Sequence, residues 1–243
     1  MPAHRFYSEF PLQLGLNTLD DQFILQHIKV LRLKINDTIC LFNKNQTEYN
    51  CNIHQINKKN IVIDCLDEKI VSRELPKKIH LMQSIINANK LELIVEKANE
   101  LGASSINLIP CQYSNYSLGE NKQKRIQRLQ SIAISSSEQC RRNSLIDINT
   151  FSTWNEFIEY LQNIPKNCLK IIFLPHTETL FKSINFADYS EFYCIIGAEG
   201  GFSVREEQEL LKCGCISLNL GNRILRAETA AISAVSFIAL NLY

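Results

Sequence analysis

The chain has 243 residues, with 26 Lys and Arg against 25 Asp and Glu for a formal charge of +1, and 45% of its residues are hydrophobic. That balance excludes disorder as the dominant state and supplies enough apolar material for a substantial core in one or two domains. The longest apolar stretch, Ala230 to Leu240, is broken by Ser233 and Ser236 and falls short of the roughly 20 residues that a membrane helix needs. The N-terminal run MPAHRFYSEF has no apolar segment of the kind a signal peptide carries. The nine cysteines are scattered without a CxxC pair, and Cys213 and Cys215 are too close for the usual zinc knuckle. They read as reduced, partly buried thiols of a cytoplasmic protein, with no metal site.

Residues 1–70 are expected to be mostly strand. Thr38–Phe42 is rich in β-formers and is ended by Asn43-Lys44-Asn45; Tyr49, Cys51 and Ile53 then alternate with polar residues. Lys58-Lys59-Asn60 marks a second turn before Ile61-Val62-Ile63. Short strands at this spacing suggest a small β-barrel or sandwich. The charged stretch 67–78, with Pro76, is the expected linker.

Beyond it, strands alternate with helices. A strand is expected over Ile79–Ile86, then an amphipathic helix over Lys90–Leu101 with Gly102 as its stop. Ser105–Ile109 is a strand, and Lys124–Arg142 a helix bearing Lys124, Arg125, Arg128, Arg141 and Arg142. This helix accounts for the local charge: residues 76–150 hold 10 basic and 6 acidic side chains, whereas residues 151–243 hold 7 and 10. It is either a solvated face or a local contact for a polyanion. Cys168–Leu174 and Glu191–Ile196 are continuous apolar runs, as strands buried on both faces show. Ile216–Leu220 is another strand, and Glu228–Leu242 a closing helix. The alternation predicts an α/β domain over a mainly parallel sheet.

Two loops carry candidate chemistry. Three of only eight glycines fall in Gly197-Ala198-Glu199-Gly200-Gly201, between a buried strand and Ser203-Val204-Arg205-Glu206, a capping box opening a helix. Ligands of open α/β sheets bind beyond the carboxyl ends of strands, where glycine admits positive φ and bare backbone. The GxxGG spacing is neither the dinucleotide fingerprint nor a phosphate-binding P-loop. A tight turn can need glycines for itself, but Glu199 within it looks like an acceptor for something. The second loop, Leu218 to Ala230, crowds Arg223, Arg226 and Glu228 into six residues where an apolar helix begins. Such charges need partners. They either anchor the helix or line a polar site.

Residues 197–203 (GAEGGFS) and 220–230 (LGNRILRAETA) closely resemble the RsmE family, the bacterial 16S rRNA uridine N3-methyltransferases of the SPOUT class. His4-Arg5-Phe6-Tyr7, His27–Arg32, Lys97–Gly102 and Glu138–Arg142 are supporting matches. Ala198 stands where the family usually has Pro, Ala227 where it has Thr and Ile146 where it has Pro. Gln112-Tyr113 replaces an acidic residue and an Arg.

The resemblance implies a PUA-like β-barrel RNA-binding domain over 1–70, a linker over 71–78 and a trefoil-knotted SPOUT domain over 79–243. It implies S-adenosylmethionine as cofactor, held by Leu174-Pro175-His176, by Gly197, Glu199, Gly200 and Gly201, and by Leu218, Leu220, Gly221, Ile224 and Leu225. Arg226, alone or with Arg5, would stabilise negative charge on the uracil, and Glu199 or Glu228 would take or relay its N3 proton. Arg5, Lys29 and Arg32 and the basic helix would contact 16S rRNA of the small subunit, and the protein would be a homodimer. The alternatives are a SPOUT methyltransferase for another RNA and a non-catalytic ribosome-assembly factor.

Overall fold

The computed structural model describes residues 4–119, 121–179 and 184–243. The chain divides into two compact units, residues 1–74 with 137–145, and residues 75–136 with 146–243.

The first unit contains β1 (Arg5–Tyr7), β2 (Gly15–Leu19), α1 (Gln22–Val30), β3 (Thr38–Phe42), β4 (Thr47–Ile56) and β5 (Ile61–Ile70). They form a five-stranded sheet in the order β1-β3-β4-β5-β2, antiparallel except where β1 runs parallel to β3. The alternation read in the sequence holds: Tyr49, Cys51 and Ile53 are buried with Ile39, Leu41, Ile61 and Ile63, and α1 adds Ile24, Leu25 and Ile28 to this core. Asp21 caps α1, its Oδ1 accepting from the amides of Phe23 at 2.8 Å and Ile24 at 3.1 Å, which satisfies two of the helix's otherwise orphan donors.

Residues 67–70, expected to open the linker, instead continue β5. Asp67 pairs with Asn50, Lys69 with Glu48 and Ile70 with Thr47. The strand outlasts its apolar pattern because the long hairpin with β4 supplies the backbone hydrogen bonds, while the side chains of 66–70 stay exposed.

The second unit is a six-stranded, all-parallel sheet made by β6 (Lys78–Ser84), β7 (Ser105–Ile109), β8 (Asp147–Thr150), β9 (Leu169–Phe173), β10 (Glu191–Ile196) and β11 (Ile216–Leu218). The order is β11-β9-β10-β6-β7-β8. Its helices are α2 (Ala88–Glu100), α3 (Lys122–Cys140), α4 (Trp154–Gln162), α5 (Val204–Lys212) and α6 (Ala227–Leu240). Phe192, Cys194 and Ile196 of β10 face α2, α3 and α6, while Tyr193 and Ile195 face α4 and α5. Both faces of the strand are covered, which is why its sequence is apolar from Phe192 to Ile196. No helix among the described residues is long and apolar enough to cross a membrane.

At the amino-terminal end of this sheet, neighbouring strands bring together His80, Ser105 and Glu191. The imidazole Nδ1 lies 2.8 Å from Ser105 Oγ and Nε2 lies 3.1 Å from Glu191 Oε2, and the ring stacks on Tyr193 at 4.5 Å. Burial pushes the His80 pKa below its usual value, against the opposing pull of Glu191. The unfolded chain therefore binds this proton below pH ~6.5 while the folded one does not. This contribution to stability is full above that pH and declines as the pH falls from there towards the lowered folded value. Urea midpoints measured across this range should lose part of their pH slope in His80→Gln.

Candidate active site

The loops that follow β9, β10 and β11 converge on one cavity of about 580 Å³, which also reaches α2 and the start of α6. Its volume lies within the ~300–1,000 Å³ typical of small-molecule sites.

The glycine turn after β10 is built by local rules. The Gly201 amide donates to Ala198 O at 2.9 Å, and Gly201 sits at φ +74° with nothing within 4 Å of where a Cβ would project. That position combines a left-handed backbone with open space, as a surface for a ligand requires. Ala198 is buried and bridged to Gly201, so the turn closes with alanine at this position. Gly200 has a different purpose: a Cβ there would lie 2.9 Å from Tyr113 Cβ. Gly197 likewise leaves room for Gly201, 3.2 Å from Cα to the added carbon.

The expected capping box opens α5. Ser203 Oγ accepts from the Glu206 amide at 3.3 Å, and Glu206 Oε2 accepts from the Ser203 amide at 2.8 Å. Glu206 Oε1 also accepts from the Gln112 amide at 2.7 Å. This buried carboxylate thus fastens the loop after β7 to the glycine turn.

The loops after β9 and β11 are joined by Asn219, a residue that the sequence did not single out. Its amide nitrogen donates to Pro175 O at 3.1 Å and to Thr177 O at 3.0 Å, while its Oδ1 accepts from the Gly221 amide at 2.9 Å. Leu174, Pro175 and His176 line the cavity, as do Leu220, Ile224 and Leu225. Leu218 is fully buried beneath them. Gly221, at φ +117°, turns the chain outside the cavity wall. His176 Nε2 stands 3.3 Å from Glu207 Oε2.

Lys90, on the first turn of α2, is the second residue missed in the sequence. Its Nζ lies 3.0 Å from Glu199 Oε1 and 3.7 Å from Glu228 Oε2, so one cation joins the glycine turn to the first turn of α6. The Glu199 carboxylate raises the Lys90 pKa above its ordinary value. Glu228 Oε2 is buried without a hydrogen-bond partner among the described residues. Arg226, at the N-cap of α6, makes no side-chain capping bond and lines the cavity from an exposed position. The first amides of α6, where the helix dipole is positive, therefore open beside the guanidinium. This end of the cavity suits an anionic group.

Two expected residues are committed elsewhere. Arg5 was expected to meet substrate or phosphate. Its Nη1 instead lies 2.6 Å from Glu48 Oε1, its Nη2 donates to Asn143 Oδ1 at 2.6 Å, and its guanidinium covers the Phe42 ring at 4.6 Å. Only 9% of this side chain is exposed. Arg142 is likewise buried and holds the Glu74 carboxylate through Nε at 2.9 Å and through Nη2. Buried, charge-assisted pairs of this kind maintain the unit's interior and leave little donor capacity for RNA. Lys29, Arg32, Lys124, Arg125, Arg128 and Arg141 are exposed. Arg128 pairs with Glu92 at 3.0 Å, and Arg125 donates to Ser117 O.

The RNA methyltransferase domain family matches residues 73–239, and its PUA domain matches residues 24–64. The chain belongs to this RNA methyltransferase family. Ribosomal RNA small subunit methyltransferase E of Buchnera aphidicola from Schizaphis graminum is 32% identical over 242 residues, covering 96% of this chain and 94% of that one. A methyltransferase of Legionella pneumophila, solved with bound cofactor SAM, superposes with a TM-score of 0.90 at 29% identity over 98% of this chain and 97% of its own. Ribosomal RNA small subunit methyltransferase E of Neisseria gonorrhoeae, bound to S-adenosyl methionine, gives 0.85 at 28% identity over the same shares.

Asn219→Ala removes two hydrogen bonds that join two cavity loops and a third within its own loop, each worth ~1 kcal/mol. Amide hydrogen exchange around residues 175–179 and 219–221 should accelerate about tenfold or more, with β9 and β10 unchanged.

Proposed function

We propose that this enzyme transfers the methyl group of S-adenosylmethionine to N3 of a uridine in the 16S rRNA of the small ribosomal subunit. The observation carrying this reading is the single cavity made by the loops after β9, β10 and β11, walled by glycine backbone on one side and by Arg226 on another.

The residues present fit the cofactor. Leu174–His176, Gly197–Gly201 and Leu218–Leu225 would hold it, with Leu220 and Leu225 as apolar walls for adenine and open backbone at Gly201. When bound, S-adenosylmethionine supplies an electrophilic methyl on a sulfonium. The chain's own residues then have three tasks. They must receive a base whose N3 edge is unpaired, since that edge is engaged in a duplex. They must stabilise the uracil as N3 loses its proton, which Arg226 and the first amides of α6 can do as preorganised donors. They must accept that proton, for which Glu199 and Glu228 are the candidate carboxylates. Lys90 holds Glu199 against the cavity wall and lies between the two acids.

The same reading gives residues 1–70 the role of a PUA-like RNA-binding domain, followed by a linker over 71–78 and a trefoil-knotted SPOUT domain over 79–243. Lys29 and Arg32 are its exposed phosphate contacts, together with Lys124, Arg125, Arg128 and Arg141. Two copies would pair through the outer face of α6, where Leu240 is 71% exposed. The enzyme would act in the cytoplasm, with its ribosomal substrate.

Incubation of unmodified small subunits with labelled S-adenosylmethionine, followed by nucleoside mass spectrometry, should place the label in 3-methyluridine. Label in another nucleoside, or none, would overturn the assignment. Arg226→Ala should lower kcat about 100-fold, by analogy with loss of one oxyanion donor, while calorimetric affinity for S-adenosylmethionine changes little. Neutralising both Lys29 and Arg32 should reduce the slope of log affinity for the subunit against log salt by roughly two.

A further inference from the structure

On the other side of the first turn of α2 lies a second cavity, of about 490 Å³. It is framed by α2, α3 and the loop that precedes α3. Its floor is apolar, formed by Ile86, Leu91, Leu118 and Leu129, of which the last three are almost fully buried along with Ile86. One aromatic ring, Tyr116, stands at its wall with 43% of the residue exposed. Its rim carries Lys124, Arg125 and Arg128, with Glu92 as the acidic partner of Arg128, so the net charge there is positive.

The charge arrangement runs against helix electrostatics. The first turn of α3 carries Lys122, Lys124 and Arg125 and no acidic residue, although the positive end of a helix dipole disfavours cations there. An anion bound at this rim would relieve that repulsion. The walls are held in place by the Arg128–Glu92 pair at 3.0 Å across α3 and α2 and by Arg125 donating to Ser117 O. Lys124 remains exposed at the rim. An apolar slot with one aromatic wall and a basic lip matches a nucleotide, whose flat base stacks while its phosphate takes the charge. Asn87 and Asn121 add amide groups able to meet a base edge.

Position favours an RNA residue close to the target. Lys90 lines the methyl-transfer cavity, while Asn87, Ala88 and Leu91 line this one. The two cavities are thus separated by one turn of a helix, about 10 Å across with its side chains. We propose that the groove between α2 and α3 is a nucleotide subsite, which takes the base of an RNA residue flanking the methylated one against Tyr116 and the phosphate of that residue on Lys124 and Arg125. The subsite rests on the proposed RNA substrate and adds to it a determinant of which sequence or loop is accepted.

The test compares the full-length enzyme with Tyr116→Ala, Tyr116→Phe and Lys124→Ala. Single-turnover methylation of unmodified small subunits is measured with labelled S-adenosylmethionine, alongside calorimetric binding of the cofactor alone and thermal midpoints. Tyr116→Ala should lower kcat/KM for the subunit about tenfold or more through lost stacking, with cofactor affinity and midpoint unchanged. Tyr116→Phe, which keeps the ring, should restore the rate to within about twofold. Lys124→Ala should reduce the salt slope of subunit binding by about one. Wild-type kcat/KM in Tyr116→Ala would overturn the subsite. So would a changed sedimentation state with unchanged RNA kinetics, which would assign the groove to a protein contact. Nucleoside analysis keeps the two readings apart. A product other than 3-methyluridine refutes the proposed target while a persisting Tyr116 effect upholds the subsite. If no methyl is transferred, filter binding of small subunits to the wild type and Tyr116→Ala decides it, equal affinities refuting the subsite.

Discussion

The parallel sheet of the second unit is covered on both faces, and this constraint sets where chemistry can occur. Alternate residues of β9 and β10 enter two separate apolar layers, which leaves little room for a ligand or a reacting group along the strands themselves. Polar and ligand-binding groups are displaced to the loops at the carboxyl ends, where backbone amides and carbonyls emerge together. Three neighbouring strands end at the same edge, so their loops form a common wall. The glycine turn, the Asn219 cross-links and the Glu206 carboxylate then fix that wall by hydrogen bonds within and between loops.

Charge in the cavity is organised around two opposite features. Lys90 gathers Glu199 of the glycine turn and Glu228 of the first turn of α6, and Arg226 stands at the N-cap of the same helix. A cationic methyl donor and a base that becomes anionic place contrary demands on one small space. Acidic and basic side chains set within one helical turn of each other can meet both demands.

What could be read from the sequence was local. Glu191–Ile196 showed its burial as an apolar run, Ser203 and Glu206 showed their capping box by spacing, and Gly197–Gly201 marked the turn between them. The unread parts depend on distant partners. Lys90 meets Glu199 across 109 residues, and nothing in an amphipathic helix tells which exposed lysine will face a cavity. Arg5 and Arg142 looked like surface cations because their partners lie 43 and 68 residues away. The length of β5 followed from its pairing with β4 and was invisible in the exposed run Asp67–Ile70. β8 escaped notice because Asp147–Thr150 is short, mostly polar and lies at the sheet's edge.

The first unit is discontinuous in the chain, since residues 137–145 complete what residues 1–74 begin. Arg5 takes Asn143 and Glu74 takes Arg142. During synthesis, the amino-terminal strands must therefore wait for some seventy later residues before these partners exist, a delay of seconds at roughly 5–20 residues per second. An early-born sheet that lacks the Asn143 amide for Arg5 and the Arg142 guanidinium for Glu74 cannot reach its final stability until the ribosome has passed the middle of the message. The two halves of this enzyme consequently mature in interleaved order, and the part made first is not the part finished first.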